Sequence, residues 1–359
     1  MRVLVVNAGS STLKLRVVDD HDTVVARADL PAVEQIPPAD LARELDGLAP
    51  YDAVGHRVVH GGREFLQPVL VEGDVRDRIE ALTPLAPLHQ PRALAALDAV
   101  GQAVPGLPAV ACFDTAFHAT LPPEASVYAV PRDWREHLGV RRYGFHGLSH
   151  AYASRRAVEL GADPRHVVVC HLGAGASLCA VREGRSVDTT MGFTPLEGLV
   201  MATRSGTVDP GAVLWLVTQA GLPPDEVTDA LEHRSGLLGL AGTADMREVI
   251  ARAGDGDGEA GLALGAYHHR LRSSIAAMVA SLGGLDTLVF TGGVGENAPA
   301  VRAAAAGGLH HLGVAYDPEA NASAVPDADI TAPGSRARVL VIAAREDVEI
   351  ARGVRQTVT

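Results

Sequence analysis

The chain contains one distinctive local pattern twice, and this repeat restricts the folds that it can adopt. Residues 3–6 form a short apolar run, residues 7–12 (NAGSST) are small and polar, and residues 13–18 alternate between apolar and polar. Residues 166–182 have the same form, with a glycine-containing turn at His171–Ala176 between two apolar runs. Such runs predict strands joined by tight turns. Two copies favour an internal duplication, with two related α/β halves facing one cleft.

Turns built from small residues can bind phosphate because they expose backbone N–H groups. Lys14 lies beside the first turn and is the only lysine among 31 basic residues. Its compact ammonium group suits a phosphate, whereas an arginine presents a planar fork. Asn7 offers a neutral oxygen to a hydrated cation. An ordinary hairpin with an exposed lysine is the alternative interpretation.

A third glycine turn, residues 292–297 (GGVGEN), follows the predicted strand Asp286–Phe290, and Pro299 opens a helix after it. A strand, a glycine turn and a helix in this order are typical of nucleotide sites. Three such turns favour a nucleoside triphosphate held between two lobes. The sequence has no P-loop pattern, no protein-kinase signature and no dinucleotide-binding fingerprint, so those classes are disfavoured.

Phosphoryl transfer needs positioned cations and a divalent metal ion more than covalent catalysis. Arg57 and Arg204 lie among glycines, and His146 lies in the segment YGFHGLSH. Asp114 and Glu346 each follow a predicted strand, where a carboxylate can meet Mg²⁺ or a nucleophile. Each arginine could instead form a surface ion pair, and His146 could be a hydrogen-bonded core histidine.

Composition narrows the possible partners and location. The chain has 359 residues, enough for two domains, and a net charge of −12 without a basic block, which argues against a nucleic-acid partner. Its three cysteines form no C-x-x-C motif, so we expect reduced thiols in a cytoplasmic protein. No apolar run approaches the ~20 residues of a membrane span, so we expect no membrane partner.

With these features in view, the chain resembles the acetate kinase family from end to end. The matching segments include VGHRVVHGG, RRYGFHGLSH, CHLGAGASL, FTGGVGEN and the longest, DTTMGFTPLEGLVMATRSGTVDP. The resemblance implies an α/β, duplicated RNase H-like (actin-like ATPase) fold with two lobes around a nucleotide cleft. Residues 1–115 plus 348–359 would form the N-terminal lobe with a closing C-terminal helix, and residues 116–347 the C-terminal nucleotide-binding lobe.

The resemblance also implies an activity. Members of this family transfer a phosphoryl group reversibly from ATP to acetate, giving acetyl phosphate and ADP, with Mg²⁺ and with Mn²⁺ as an alternative. They are cytoplasmic homodimers. A propionate kinase, or a nucleotide-binding switch of the same superfamily without acyl kinase activity, are the alternatives kept open.

Individual roles follow from the same resemblance. Asn7 and Glu346 would support Mg²⁺, and Arg57 would hold the acetate carboxylate. The methyl group of acetate would lie in a small pocket lined by Val59, Leu88, Phe145 and Pro195. The catalytic residues would be Asp114, His146 and Arg204. Asp114 would act near the attacking carboxylate, as an acid/base or through the metal, and the other two would stabilise the transferring phosphoryl group.

ATP would contact Lys14 and three segments of the chain. Those segments contain His171, Leu172, Gly173, Ala174, Gly175, Asp245, Met246, Arg247, Gly293, Val294, Gly295, Glu296 and Asn297. The family usually has asparagine where this chain has Ala174, facing the nucleotide phosphates. One hydrogen bond, worth about 0.5–1.5 kcal/mol, is therefore missing unless another group replaces it.

Overall fold

The computed structural model describes residues 1–9 and 12–358, so Ser10 and Ser11 of the first predicted turn, and Thr359, lie outside the described residues. The strands of the described residues are β1 Val3–Ala8, β2 Thr12–Val18, β3 Val24–Pro31, β4 Ala53–Val58, β5 Val69–Leu70, β6 Ala109–Phe113, β7 Val167–Leu172, β8 Ala176–Arg182, β9 Arg185–Thr189, β10 Thr287–Thr291, β11 Ala328–Asp329 and β12 Arg338–Val341.

Helices occupy most of the intervening segments. The α-helices are α1 Pro38–Asp46, α2 Val75–Glu80, α3 Gln90–Ala103, α4 Pro123–Ser126, α5 Arg132–Glu136, α6 Gly147–Glu159, α7 Pro210–Thr218, α8 Pro224–His233, α9 Gly236–Ala241, α10 Met246–Gly254, α11 Gly258–Leu282, α12 Gly292–Asn297, α13 Pro299–Gly307, α14 Pro318–Ala322 and α15 Glu346–Val358. Short 3₁₀ helices are Val33–Gln35, Thr83–Leu85, Ala116–Thr120 and His310–Leu312.

The chain divides into two compact units. The first comprises Met1–Ala119, Phe145–Tyr152 and Arg345–Thr359, and the second comprises Thr120–Gly144 and Ala153–Ala344. Residues 116–119, 145–152 and 345–347, which were expected in the C-terminal lobe, fall in the first unit. Residues 145–152 belong there because the Gly147 amide donates to the Asp114 carbonyl over 2.9 Å.

The first unit is built on a six-stranded sheet in the order β3-β2-β1-β4-β6-β5. Strands β1, β2 and β3 form an antiparallel meander, while β1, β4 and β6 are parallel. The short strand β5 pairs antiparallel with β6 at the edge. This arrangement brings the carboxyl ends of β1, β4 and β6 to one edge of the sheet.

Residue alternation explains how this sheet is covered. Leu4 and Val6 of β1 pack in one cluster with Leu41 and other side chains of α1 and α3, whereas Val3 and Val5 point to the opposite face. On that face they pack in a second cluster with residues of α15 that include Ile350 and Val354. The alternation of side chains along β1 therefore determines which helices lie on which side of the sheet.

The second unit repeats the strand order of the first. Its sheet reads β9-β8-β7-β10-β12-β11 from the meander end, with β7, β8 and β9 antiparallel and β7, β10 and β12 parallel. The edge strand β11 again precedes its antiparallel neighbour β12 in the chain. The two sheets share the same strand order, which confirms the predicted duplicated α/β fold.

Candidate active site

Arg57 and Asp114 lie together because their strands are parallel neighbours. Arg57 is the fifth residue of β4, and Asp114 directly follows β6. Val58 pairs with Phe113 in the register of these strands, and the Asp114 amide donates to the Val58 carbonyl over 3.0 Å. The backbone ladder thus extends to Asp114 and holds its carboxylate beside Arg57.

The Arg57 guanidinium binds Asp114 through two of its nitrogens. Nε lies 3.1 Å from Oδ1 and 3.2 Å from Oδ2, and Nη2 lies 2.7 Å from Oδ2. The Asp114 side chain is almost fully buried. Burial works against the charged guanidinium, but the carboxylates of Asp114 and Glu346 outweigh it and raise the pKa of Arg57. Arg57 is therefore a fixed positive charge at this edge of the sheet.

Two further predicted residues complete the cluster. Asn7, near the end of β1, places Oδ1 3.3 Å from Nη1 of Arg57. Glu346, the first residue of α15, places Oε2 3.4 Å from the same nitrogen. Four side chains from β1, β4, the end of β6 and α15 thus converge. We call Asn7, Arg57, Asp114 and Glu346 the strand-end cluster.

His146 and Phe145 lie beside this cluster through the backbone of Gly147. A Cβ at Gly147 would lie 2.1 Å from the Asp114 carbonyl oxygen, so only glycine permits this approach. His146 has a φ of 56°, a left-handed conformation that is uncommon for a residue with a side chain. Such strain is often found at functional sites. The fully buried Phe145 has its ring centroid 5.5 Å from that of His60.

The other residues predicted in this unit are less enclosed. Val59 directly follows β4 and is half-buried, and Leu88 lies in the segment before α3 with 46% of its surface exposed. Lys14 is exposed on β2 and is the register partner of Asn7. His118 was not predicted from the sequence, and its Nε2 lies 3.0 Å from the Phe145 carbonyl oxygen.

The second unit contains a cavity of about 560 Å³ that gathers most of the predicted ATP residues. Eight of them line it: Gly173, Ala174, Asp245, Met246, Arg247, Gly293, Val294 and Asn297. They come from the turn after β7, the start of α10 and the helix α12. Residues 292–297 were predicted to form a turn, but they form the short helix α12. Within it the Asn297 side chain donates to the Gly293 carbonyl over 2.9 Å.

Five other predicted ATP residues of this unit are not among the residues that line the cavity: His171, Leu172, Gly175, Gly295 and Glu296. Leu172 is fully buried in β7, and Gly295 is buried in α12. The Glu296 carboxylate accepts a hydrogen bond from the Ala344 amide over 2.9 Å, so it anchors α12 to the segment after β12. Within the two glycine-containing segments 171–175 and 293–297, half of the residues line the cavity and half do not.

The remaining lining residues were not identified from the sequence. They are Ala202, Leu237, Ala244, Tyr267 and Ala298. Ala202 lies two residues before Arg204, so its place in that segment could have indicated that it lines the site. Leu237 and Tyr267 are apolar or aromatic residues of helices α9 and α11, and their sequence pattern does not distinguish them from core residues.

Arg204 lies on a loop that the start of α9 holds by its backbone. The amides of Ser235, Leu237 and Leu238 donate to the carbonyls of residues 203, 201 and 202, each over 2.9 Å. The Ala202 amide donates to the Ala174 carbonyl over 3.0 Å. The loop that carries Arg204 is therefore bonded directly to the turn that lines the cavity.

The Arg204 side chain itself is held loosely. Its Nη1 donates to the Pro195 carbonyl over 3.4 Å, and its Nε lies 3.6 Å from a Glu232 carboxylate oxygen. Burial lowers the pKa of Arg204, although the Glu232 carboxylate opposes that shift. The guanidinium is thus partly desolvated with weak partners, which suits binding of an anionic group.

Comparisons with known proteins agree with one another. A sequence model of the acetokinase family matches residues 40–352. The chain is 53% identical over 313 residues to an acetate kinase of Leifsonia xyli, covering 86% of this chain and 79% of that one. It is 43% identical to an acetate kinase of Microcystis aeruginosa, with 98% of both chains covered.

Solved structures give the same result. The acetate kinase of Porphyromonas gingivalis superimposes with a TM-score of 0.92 at 34% identity over the full length of both chains. A propionate kinase from Francisella tularensis gives a TM-score of 0.91 at 36% identity, with 99% of each chain covered. No helix among the described residues is long and apolar enough to span a membrane. The chain is a kinase and belongs to the acetokinase family.

Proposed function

We propose that this chain catalyses the reversible, Mg²⁺-dependent transfer of the γ-phosphoryl group of ATP to acetate, giving acetyl phosphate and ADP. The observation that carries the proposal is the strand-end cluster. In it, a guanidinium and three oxygen-bearing side chains meet where parallel strands of the sheet end. This arrangement provides a carboxylate-binding cation and a set of metal-binding oxygens within one small volume.

Arg57 is the proposed ligand of acetate. A guanidinium binds a carboxylate through two parallel hydrogen bonds, and Arg57 already binds Asp114 in this way. Its Nη1 faces Asn7 and Glu346 at longer distances, which leaves that nitrogen weakly bonded. We assign the pocket for the methyl group of acetate to Val59, Leu88, Phe145 and Pro195.

The oxygens of the strand-end cluster fit Mg²⁺. Asn7 Oδ1 and Glu346 Oε2 both approach one nitrogen of Arg57, so they already converge on one cationic group. Mg²⁺ usually takes one or two protein oxygens and completes its octahedron with water and phosphate. Asn7 and Glu346 would hold the ion, which would neutralise charge on the phosphate oxygens. Mn²⁺ has the same ligand preference and is the proposed substitute.

We assign nucleotide binding to the cavity of the second unit, together with Lys14. The small residues Gly173, Ala174 and Gly293 let a ligand approach the backbone closely, and Arg247 adds a positive charge. Ala174 presents only a methyl group, so hydrogen bonds to the nucleotide on that side would come from the backbone. This substitution is expected to affect ATP affinity more than the class of reaction.

The reaction needs no proton transfer. Acetate is ionised at neutral pH, so one of its oxygens can attack the γ-phosphorus while the bond to ADP breaks and ADP takes the electron pair. Asp114 then acts through position or the metal ion rather than as a base. His146 and Arg204 are the proposed groups that stabilise charge on the phosphoryl group.

An activity assay tests these assignments. Purified protein would be incubated with Mg²⁺-ATP and acetate, propionate or butyrate, and hydroxylamine would trap acyl phosphate. Pyrophosphate serves as the alternative phosphate donor. We expect strong product with acetate and a decrease along the series. Folded protein that binds ATP but forms no acyl phosphate with any acid or donor would contradict the proposed reaction.

Propionate is the second candidate acceptor, because one of the similar solved structures is a propionate kinase. One methylene group changes binding by only ~1–3 kcal/mol, so the lining of the acyl pocket decides the preference. A bulkier residue at Val59 or Leu88 should reduce propionate turnover more than acetate turnover. Equal losses would argue against this pocket assignment.

We also propose a homodimer and a cytoplasmic location. Helix α7 (PGAVLWLVT) has no buried residue, and Leu214 and Trp215 are 63% and 57% exposed. Residues 210–224 contain no charged side chain, so this surface can meet its own copy without charge repulsion. The three cysteines are buried and form no disulfide, which is usual in a reducing compartment.

A further inference from the structure

Arg302, on helix α13, is a fully buried arginine whose partners are all neutral. Its Nε donates to Asn321 Oδ1 over 2.8 Å, and Nη2 donates to the Asn321 carbonyl over 2.7 Å. Its Nη1 donates to the carbonyls of Gly295 and Glu296 over 2.9 and 2.7 Å. Only 1% of its surface is exposed.

No ion pair involves Arg302 in the part of the chain that the structure describes. Carbonyl and amide oxygens solvate its charge but do not neutralise it. Burial lowers the pKa of Arg302, yet a guanidinium stays protonated. Burying an uncompensated charge is costly, and an apolar residue of similar volume would often be as stable. Retention of the charge therefore calls for a reason other than packing.

The position of Arg302 relates it to the cavity. Gly295 and Glu296 lie at the end of α12, and their carbonyls have no helical partner after Asn297. The adjoining residues Gly293, Val294 and Asn297 line the cavity. Arg302 thus binds two carbonyls at the end of the helix that forms one wall of the proposed nucleotide site.

We propose that Arg302 is a positioning residue for the nucleotide polyphosphate, because its guanidinium fixes α12 from behind and its unneutralised charge favours an anion in the cavity. This inference rests on the proposed function, in which the cavity binds ATP. The charge acts through the intervening backbone in a medium of low polarity, where it is screened less than in water. A phosphate group bound in the cavity then supplies the negative charge that the neutral partners of Arg302 lack.

The substitution Asn321→Asp tests the electrostatic part. It keeps an oxygen beside Nε of Arg302 but adds a carboxylate that neutralises the guanidinium in place. Dissociation constants for ATP, ADP and adenosine would be measured by calorimetric titration of the full chain. We expect ATP to bind about tenfold more weakly, the order for one charge acting at an effective dielectric constant of about 20. ADP should lose less, adenosine should be unaffected, and the KM for acetate should not change.

Two further variants serve as controls. Asn321 also donates to the Pro299 carbonyl over 3.0 Å, a bond that the aspartate loses. Asn321→Leu loses this bond and also the oxygen beside Nε of Arg302, without adding charge. A loss of ATP binding that appears in Asn321→Asp but not in Asn321→Leu is therefore due to the added charge. Ser323→Asp adds a negative charge at an exposed position two residues away and should leave all three constants unchanged.

If Asn321→Asp does not fold, Arg302→Lys and Arg302→Met test whether the charge of Arg302 favours ATP. Lysine keeps the charge and should preserve the preference for ATP over adenosine, whereas methionine should lose it. An unchanged preference in Asn321→Asp, or an equal loss in Asn321→Leu, would overturn the inference. Wild-type protein that does not bind ATP would instead overturn the proposed function, and wild-type acyl phosphate formation is measured alongside to separate the two failures.

Discussion

At the scale of single residues, Arg57 is bound in this structure by the carboxylate that lies next to its proposed substrate site. The three Arg57–Asp114 contacts of 2.7 to 3.2 Å occupy one edge of the guanidinium. Acetate must therefore share Arg57 with Asp114 or displace it. With the proposed roles, Asp114 would oppose acetate binding while it supports the reaction.

The substitution Asp114→Asn should separate these two effects. Asparagine keeps the shape but removes the competing charge, so the KM for acetate should fall by about fivefold, on the order of 1 kcal/mol. Because the carboxylate is lost near the transferring group, kcat should fall about 100-fold or more. Initial rates at varied acetate concentration would measure both.

A matched control exists in the same unit. Asp98 binds Arg76 through the same two-nitrogen geometry, with distances of 3.1 and 2.8 Å, on a partly exposed surface. Asp98→Asn should change neither kcat nor KM. A KM for acetate that rises in Asp114→Asn would contradict the competition between the two carboxylates.

His56 gives a prediction for the pH dependence of stability. It is buried in β4, and burial lowers its pKa to about 4. Between pH 6.5 and 4 the unfolded chain therefore binds a proton at His56 that the folded chain does not. The free energy of unfolding should fall with decreasing pH, by up to about 1.4 kcal/mol per pH unit for this group.

Urea unfolding at pH 7, 6 and 5 would measure this slope. His56→Gln removes the titrating group and should make the pH dependence shallower by that amount. His21, whose side chain is 84% exposed, provides the control, since His21→Gln should leave the slope unchanged. Parallel pH profiles for the wild type and His56→Gln would show that burial of His56 does not contribute.

At the scale of elements, the loop of Arg204 depends on the close approach of α9. Gly236, the first residue of α9, has a φ of 62°, and a Cβ there would lie 2.2 Å from the Met201 carbonyl oxygen and 2.7 Å from that of Arg204. Gly236→Ala must therefore displace the loop. Because small displacements of catalytic groups are costly, kcat should fall by about tenfold to 100-fold, as steady-state kinetics would show.

Gly221 separates displacement from backbone strain. Its φ is 73°, close to that of Gly236, but no atom lies within 4 Å of a Cβ built there. Gly221→Ala should lower the melting temperature slightly, with kcat unchanged. If both variants lose activity equally, strain rather than loop position is responsible.

The elements also show how far the sequence could predict the site. Asp114 was predicted as a site residue because it follows a short apolar run that marks a strand, and Arg57 because it lies among glycines. The structure brings the two together because their strands are parallel neighbours. The cavity walls Leu237 and Tyr267 could not be found, since their helices have ordinary apolar patterns. Residues 292–297 were expected to form a turn but form α12, because the glycine at 292 accepts a φ of 79° and lets a helix start directly after β10.

At the scale of the whole molecule, the exposed apolar helix α7 gives a test of the proposed dimer. Leu214→Glu places a charge in the centre of the surface, where two copies would then repel each other. We expect a shift from dimer to monomer in sedimentation velocity, with the fold retained. Leu138, which is 62% exposed, is the control, and Leu138→Glu should not change the mass. A monomeric wild type would contradict the dimer itself.

The repeated strand order carries a record of ancestry. Arg57 and Asp114 belong to β4 and to the end of β6, whose counterparts in the second sheet are β10 and β12. Arg57 is the fifth residue of β4, and the fifth residue of β10 is the uncharged Thr291. Newly duplicated halves are identical, so this difference arose by later substitution. On the proposed function, divergence of the two halves is what lets one strand order serve two unlike ligands, a small carboxylate in the first unit and a nucleotide in the second.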